Sequence, residues 1–288
     1  MRSKQLTLQR REAFRDLLDD PSPTVRKALI LEFSRLGDAA VNFLEELVGG
    51  QNRIVGAHAK RLLDELRNAN PSEDFRRFIR SLNYELETGS IMLCRVAYPE
   101  LAAETVCAQI DAIAQRCREL LIKPSTARER CTVINRVLFH ELGFRGNADD
   151  YENPENSFLN RVLETKKGLP ITLSILYILV AQRIGGELDP IAYPGHFIVG
   201  SFEDDLPFYI DPFKRGKFHT PGQLLDYSNG YMSVSQLGQL APAPIREVLS
   251  RCCRNLASHY AMRDQDDMAQ LFGSFVLEFK KSYQKQTS

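Results

Sequence analysis

Lys167-Gly168-Leu169-Pro170-Ile171-Thr172-Leu173-Ser174-Ile175-Leu176-Tyr177 is the stretch on which the fold turns. From Ile171 to Ile184 the residues are apolar nearly all round, interrupted by Thr172, Ser174, Tyr177, Gln182 and Arg183. A helix without a polar face is one enclosed by a core. The run is too short to cross a bilayer. Pro170 suits the first helical position, where a missing N–H costs nothing, and Gly185-Gly186 supplies the stop.

Two short β-rich runs follow, His196-Phe197-Ile198-Val199-Gly200-Ser201 and Phe208-Tyr209-Ile210-Asp211, separated by Glu203-Asp204-Asp205-Leu206-Pro207. This is a hairpin pattern. A turn symmetric about Glu203-Asp204 sets His196 directly opposite Asp211, close enough for an imidazole–carboxylate hydrogen bond. An odd-length loop would slip the register by one and turn one partner to the other face. Asn156 and Asn160 read as loop and helix-capping residues, and Tyr193-Pro194-Gly195 as a strand-entry turn.

Asn156-Ser157-Phe158-Leu159, Gly168-Leu169-Pro170-Ile171, Pro194-Gly195-His196-Phe197 and Ile210-Asp211-Pro212-Phe213 stand in one order along the chain. Together they resemble the SirB-type branch of the transglutaminase-like superfamily, also found fused inside certain F-box proteins. Upstream, Glu85-Leu86-Glu87 through Tyr98-Pro99-Glu100 and Leu142 to Asn147 follow the same phrasing, so the resemblance spans roughly residues 75 to 240.

The resemblance implies a papain-like fold in which a central helix packs on an antiparallel sheet, with a Cys-His-Asp triad where they meet. Such a triad needs a thiolate at the helix N-terminus, a base to take its proton and an acid to orient the base. His196 falls at the base, Asp211 at the acid, and the nucleophile position at Pro170. Proline supplies neither a nucleophile nor the backbone N–H that would face an oxyanion. Thr172 and Ser174 lie too far into the helix to reach its mouth. Ser157 lacks an elbow motif around it. Two functions follow as expectations. The first is a non-catalytic protein- or peptide-binding scaffold, with a vestigial His196–Asp211 pair in a cleft bordered by Asn156, Ser157, Pro170 and Tyr193. The second is a peptide or protein hydrolase or acyl transferase that uses His196 and Asp211 with an unconventional nucleophile such as Ser157 or water.

Over 288 residues the apolar fraction is 43%, ordinary for a globular chain, and Lys+Arg balance Asp+Glu at 37 each. No bulk charge draws the chain to nucleic acid or an anionic membrane. The start, Met1-Arg2-Ser3-Lys4-Gln5, leads into an amphipathic helix, so the expectation is a cytoplasmic protein with a protein or peptide partner. Cys94, Cys107, Cys117, Cys131, Cys252 and Cys253 show no Cys-x-x-Cys spacing and read as buried thiols, with Cys94 as the candidate for a relocated nucleophile. No cofactor and no metal site are expected, since the histidines are scattered.

The N-terminal part repeats itself. An offset of thirty residues superposes Phe14 on Leu44, Leu17 on Leu47, Leu18 on Val48, Val25 on Val55, Leu29 on Ala59, Phe33 on Leu63 and Leu36 on Leu66. This indicates stacked helix pairs, and the Asp-Pro-Ser-Pro turn resembles HEAT-like repeats, although their usual period is about 40 residues. Asn68 to Glu73 gathers turn formers and a helix start. Further helices are expected from Leu101 to Leu121, from Pro124 to Gly143 with Val137, Leu138 and Leu142 inward, and at Pro221 to Tyr227. Pro242 and Pro244 open a helical hairpin that resembles a tetratricopeptide-like tail, ending in a solvated Lys280-Lys281 stretch. The expected fold is helix-rich α+β: a papain/transglutaminase-like core at 71–240, a buried helix on a small antiparallel sheet. All-α repeat-like segments flank it at 1–70 and 241–288.

Overall fold

A computed structural model describes residues 6–20, 22–193, 195–203, 206–227 and 241–287. They fall into two compact units, one of residues up to Arg77 with Tyr98–Glu100, the other of Phe78–Ala97 and the chain from Leu101 on.

The first unit contains α1 (Leu8–Leu18), α2 (Pro23–Leu36), α3 (Asp38–Val48), α4 (Arg53–Ala69) and the opening turns of α5 (Pro71–Ser81). The helix starts obey the thirty-residue offset: α1 and α3 begin at Leu8 and Asp38, and α2 and α4 at Pro23 and Arg53. Thr7 and Asn52 cap α1 and α4 with their side-chain oxygens, and the Asn70 carboxamide accepts from the Glu73 N–H at the start of α5. Between α2 and α3 the chain turns at Gly37 with φ +58°, where only glycine is unstrained. Phe14, Phe33 and Phe43 meet in one core, Phe14 and Phe33 edge to face at 4.7 Å. Two superpositions set an exposed residue against a buried one. Leu17 and Val48 are exposed although their counterparts Leu47 and Leu18 are buried.

The second unit is built around α10 (Pro170–Arg183). Before it come α6 (Leu86–Ala97), α7 (Ala103–Leu120), α8 (Ala127–Asn135) and α9 (Leu159–Thr165), with the two-residue parallel strands β1 (Arg145–Gly146) and β2 (Lys167–Gly168). Every α10 residue from Pro170 to Ala181 is buried. Each enclosed Leu, Ile or Val side chain contributes about 1.5–3 kcal/mol. The Tyr177 hydroxyl is the polar anchor within this helix, 2.9 Å from both the Cys131 carbonyl and Asn135 Oδ1.

After α8 the chain does not continue as the α-helix expected up to Gly143. Arg136–Glu141 is a wider π-turn, with the Leu142 N–H bonded to the Val137 carbonyl. The extra residue in the turn lets Val137, Leu138 and Phe139 all reach the core and carries Leu142 outward, so Leu142 is exposed and not on the inward stripe.

Four antiparallel strands form the sheet in the order β3 (Asp189–Tyr193), β4 (His196–Ser201), β5 (Phe208–Asp211) and β6 (Lys217–His219). The expected hairpin is its middle pair. Its register pairs Val199 with Ile210 and Ser201 with Phe208, two residues away from the expected alignment. Asp204 and Asp205 of the connecting turn, and Pro194 of the β3–β4 turn, lie outside the described residues.

Past the sheet, α11 (Pro221–Tyr227) has its expected bounds, and residues 228–240 lie outside the described residues. The C-terminal hairpin is α12 (Ile245–Ala261) and α13 (Asp266–Thr287). Tyr260 stacks on Phe272 at 5.6 Å. The last helix runs through Lys280-Lys281 to Thr287 because Phe279 and Ser282 remain buried beneath the exposed lysines. No described helix is long and apolar enough to cross a membrane.

Candidate functional site

Asp211 owes its position to the Asp-Pro corner. It is the last residue of β5 and also the N-cap of a 3-10 turn, Pro212–Lys214, into which proline fits because its missing N–H is not needed there. The carboxylate is fully buried. Oδ1 accepts the Lys214 N–H at 3.1 Å, and Oδ2 lies 2.9 Å from His196 Nε2. Arg215 and Gly216, both at positive φ, then return the chain into β6. The Gly216 N–H bonds back to the Asp211 carbonyl at 2.9 Å.

His196 opens β4 directly after Gly195, whose φ of +66° makes the turn. The expected pairing of His196 opposite Asp211 is corrected here. The observed register, continued by one step, places Ile198 opposite Asp211 and leaves His196 its diagonal neighbour. A two-residue slip preserves the face, because side chains alternate with period two. Diagonal Cβ atoms lie roughly 7 Å apart, and the distal ring nitrogen spans that gap. The imidazole side chain is 12% exposed, so the pair reaches the surface through His196 alone.

Around the imidazole stand groups from distant parts of the chain. Phe213 meets it edge-on at 5.9 Å and packs flat over Gly146, where a Cβ would come within 2.5 Å of the ring. Tyr151 stands 6.0 Å from Phe213 and 6.1 Å from His259 of α12. Arg251, also on α12, donates from Nη2 to the His196 carbonyl at 3.0 Å and lies 5.4 Å from the Phe197 ring. Burial lowers the pKa of Arg251, and Arg254 adds to the effect. Burial likewise raises that of Tyr151 and lowers that of His259. Phe213 closes the Ile210-Asp211-Pro212-Phe213 motif, whereas Arg251 and His259 flank the apolar stripe of α12 and Tyr151 lies in a loop, with no local motif to mark them. The one available signal for Tyr151 is its nearness to Asn156.

Asn156 is a brace. Its Oδ1 accepts from Asn147 Nδ2 at 2.9 Å, its Nδ2 donates to the carbonyls of Asp150 and Tyr151, and its own carbonyl receives the Leu169 N–H. It thereby ties the loop bearing Tyr151 to the entrance of α10. Ser157 is 3% exposed and its hydroxyl has no hydrogen-bond partner among the described residues. Pro170 is the buried first residue of α10, as placed from sequence. Tyr193 sits opposite His196 across β3–β4, buried, with its hydroxyl donating to the Leu224 carbonyl at 2.7 Å.

The remaining candidate nucleophiles are engaged or enclosed. Ser174 Oγ donates to the Pro170 carbonyl at 2.8 Å. Thr172 is buried inside the helix, and its hydroxyl has no hydrogen-bond partner among the described residues. Cys94 is buried against the backbone of Asn160 and Leu159, and burial pushes its thiol up to about 11. Among the described residues no group of three or more His, Cys, Asp or Glu side chains is placed to hold a metal ion.

Comparison with known proteins gives this geometry a setting. A family model described as the transglutaminase-like superfamily matches residues 104–254, a span that includes His196, Asp211 and Arg251. A "UPF0162 protein" of Xylella fastidiosa (strain Temecula1) is 34% identical over 192 residues, covering 64% of this chain and 68% of that protein. "F-box only protein 21" of Mus musculus is 33% identical over 133 residues, covering 43% of this chain and 21% of that protein. A "UPF0162 protein" of Vibrio cholerae is 25% identical over 130 residues, 45% of this chain and 48% of that protein. No solved structure matches. With more than half its length matched by that model, and with a buried helix, a small antiparallel sheet and a histidine–aspartate pair in the corresponding segment, the chain belongs to the transglutaminase-like superfamily.

Proposed function

We propose that this protein is a non-catalytic member of its superfamily that binds a protein or peptide segment in the cleft beside His196. The observation that carries the reading is Pro170. An imino acid stands, buried, at the helix-mouth position where the resemblance places the nucleophile, while the His196–Asp211 hydrogen bond is kept. Other nucleophiles fit poorly. The Ser157 hydroxyl is buried and makes no hydrogen bond to the imidazole, and burial raises the thiols of Cys94, Cys117 and Cys252, leaving little thiolate at neutral pH. Tyr151 and Phe213 offer aromatic contact area at the rim, a composition suited to holding peptide side chains.

In this proposal the protein is cytoplasmic and uses no cofactor. Residues 1–70 act as HEAT-like repeats, 71–240 as the SirB-type core and 241–288 as a tetratricopeptide-like cap. The runner-up is a hydrolase or acyl transferase in which the His196–Asp211 pair activates water.

Two assays separate the readings. Purified protein is incubated with a broad peptide and glutamine-donor panel, and no turnover is expected; turnover abolished by His196→Ala would establish the enzyme. In parallel, a displayed library of random dodecapeptides is panned against the protein. Enriched sequences that lose binding on Phe213→Ala or Tyr151→Ala are expected, and an absence of enrichment would remove the binding proposal.

A further inference from the structure

Arg251 is a partly buried cation without a carboxylate. Several other arginines of the second unit are ion-paired: Arg254 with Glu247, Arg263 with Asp150, Arg130 with Glu203, and Arg183 with Glu87 and Asp111. Among the described residues no acidic side chain forms an ion pair with Arg251, whose hydrogen bond is to the His196 carbonyl. A guanidinium fork has five N–H donors, so most of its capacity to bind an anion stays open. Leaving a desolvated charge uncompensated is costly, and such a charge is normally paired.

A second under-satisfied group lies about two turns further along the same helix. His259, 7% exposed and standing against Tyr151, has an Nδ1 with no hydrogen-bond partner among the described residues. Two polar groups of one helix are thus under-satisfied, one bonded to the His196 backbone and the other against Tyr151.

The charge count selects the ligand. Arg254 and Arg263 carry their own acids, and burial holds His259 toward its neutral form. Glu247 and Glu152 also act on Arg251 and His259, so the excess positive charge is small; with aromatic walls it matches a monoanion better than a dianionic phosphate, and the fork matches the two oxygens of a carboxylate. We propose that Arg251 is the anion-binding element of the His196 cleft and receives a carboxylate of the bound peptide, whose adjoining side chain lies against Tyr151 and Phe213. The carboxylate comes from a peptide C-terminus or from an acidic side chain. The inference rests on the peptide-binding reading above.

The test uses the full chain with labelled His and Tyr rings, followed by NMR. The probes are 3-phenylpropionate and its amide, N-acetyl-Ala-Ala-Phe with a free or amidated C-terminus, and N-acetyl-Phe-Glu-amide beside N-acetyl-Phe-Gln-amide. The expected result is saturable shifts of the His196 and Tyr151 ring signals with the carboxylates, and at least tenfold weaker binding of each neutral counterpart. The two peptide pairs tell a terminal from a side-chain carboxylate. Arg251→Gln is expected to bring the carboxylates down to the level of the amides, with Arg251→Lys between. Equal binding of acid and amide, or undiminished binding to Arg251→Gln, overturns the assignment while leaving a peptide cleft in place. No shift from any probe at millimolar concentration removes both proposals. If Arg251→Gln fails to fold, the acid–amide comparison on the unaltered protein decides alone.

Discussion

Replacing Asp211 tests the corner on which the site is built. Asp211→Ala removes the N-cap of the Pro212–Lys214 turn and the part-buried hydrogen bond from the Lys214 N–H, at a cost of about 1 kcal/mol. It also removes the carboxylate from His196 Nε2, a hydrogen bond to a charged group of about 1.5–3 kcal/mol. Asp211 is fully buried, so little water is available to replace either contact. The sum, roughly 3 kcal/mol, corresponds to a fall in Tm of about 6–12 °C for a unit of this size. Asp211→Asn keeps an oxygen for the Lys214 N–H and an amide that can donate to a neutral imidazole, so its cost is about 1 kcal/mol. The chain has no Trp, and every Tyr except Tyr98 belongs to the second unit by sequence position. Thermal melts followed by tyrosine near-UV circular dichroism therefore report on the unit that holds the site. An Asp211→Ala protein melting within about 2 °C of the unaltered one would show that the corner does not depend on these two hydrogen bonds.

Gly216→Ala places a side chain at φ +75° and drives its Cβ into the Asn135 carboxamide, which bridges Tyr177 and the Gly216 carbonyl. A loss of more than about 2 kcal/mol is expected by urea denaturation, from backbone strain and the broken bridge together. With a thiol reagent at pH 8, the buried Cys94, Cys252 and Cys253 of the native protein are expected to react slowly or not at all, and the partly exposed Cys107 first, with all six reacting in guanidinium. Burial lowers the pKa of His259, facing Glu152 and Arg263, and of His219, facing Lys217, Lys214, Asp211 and His196. Each takes up a proton more readily when unfolded, so the stability they add is present above the unfolded value near 6.5 and is lost as pH falls through that value toward the folded one. Melts between pH 7.5 and about 5.5 should show Tm falling; His259→Phe should flatten the slope, and an unchanged slope would exclude His259 as a contributor.

What the sequence determined by itself lies where one short window contains the whole cause. The mostly apolar run from Ile171 dictated a buried helix, Pro170 its first position, and Gly185-Gly186 its end. The thirty-residue recurrence dictated where α1 to α4 start. Period-two alternation puts His196 and Asp211 on one face in any even register, but that the slip is even came from the folded hairpin.

Tertiary structure decided everything that joins distant windows. Hairpin periodicity does not distinguish two registers that differ by two residues, and the one adopted is seen only in the folded sheet, where β3 and β6 flank the pair. The π-turn at Arg136–Glu141 turned Leu142 outward against a helical stripe that reads as continuous. The surroundings of His196 bring Tyr151 from a loop, Phe213 from the Asp-Pro turn, and Arg251 and His259 from a helix more than fifty residues on. No spacing rule connects them, because their proximity is a product of how α12 packs and not of any local preference of the chain.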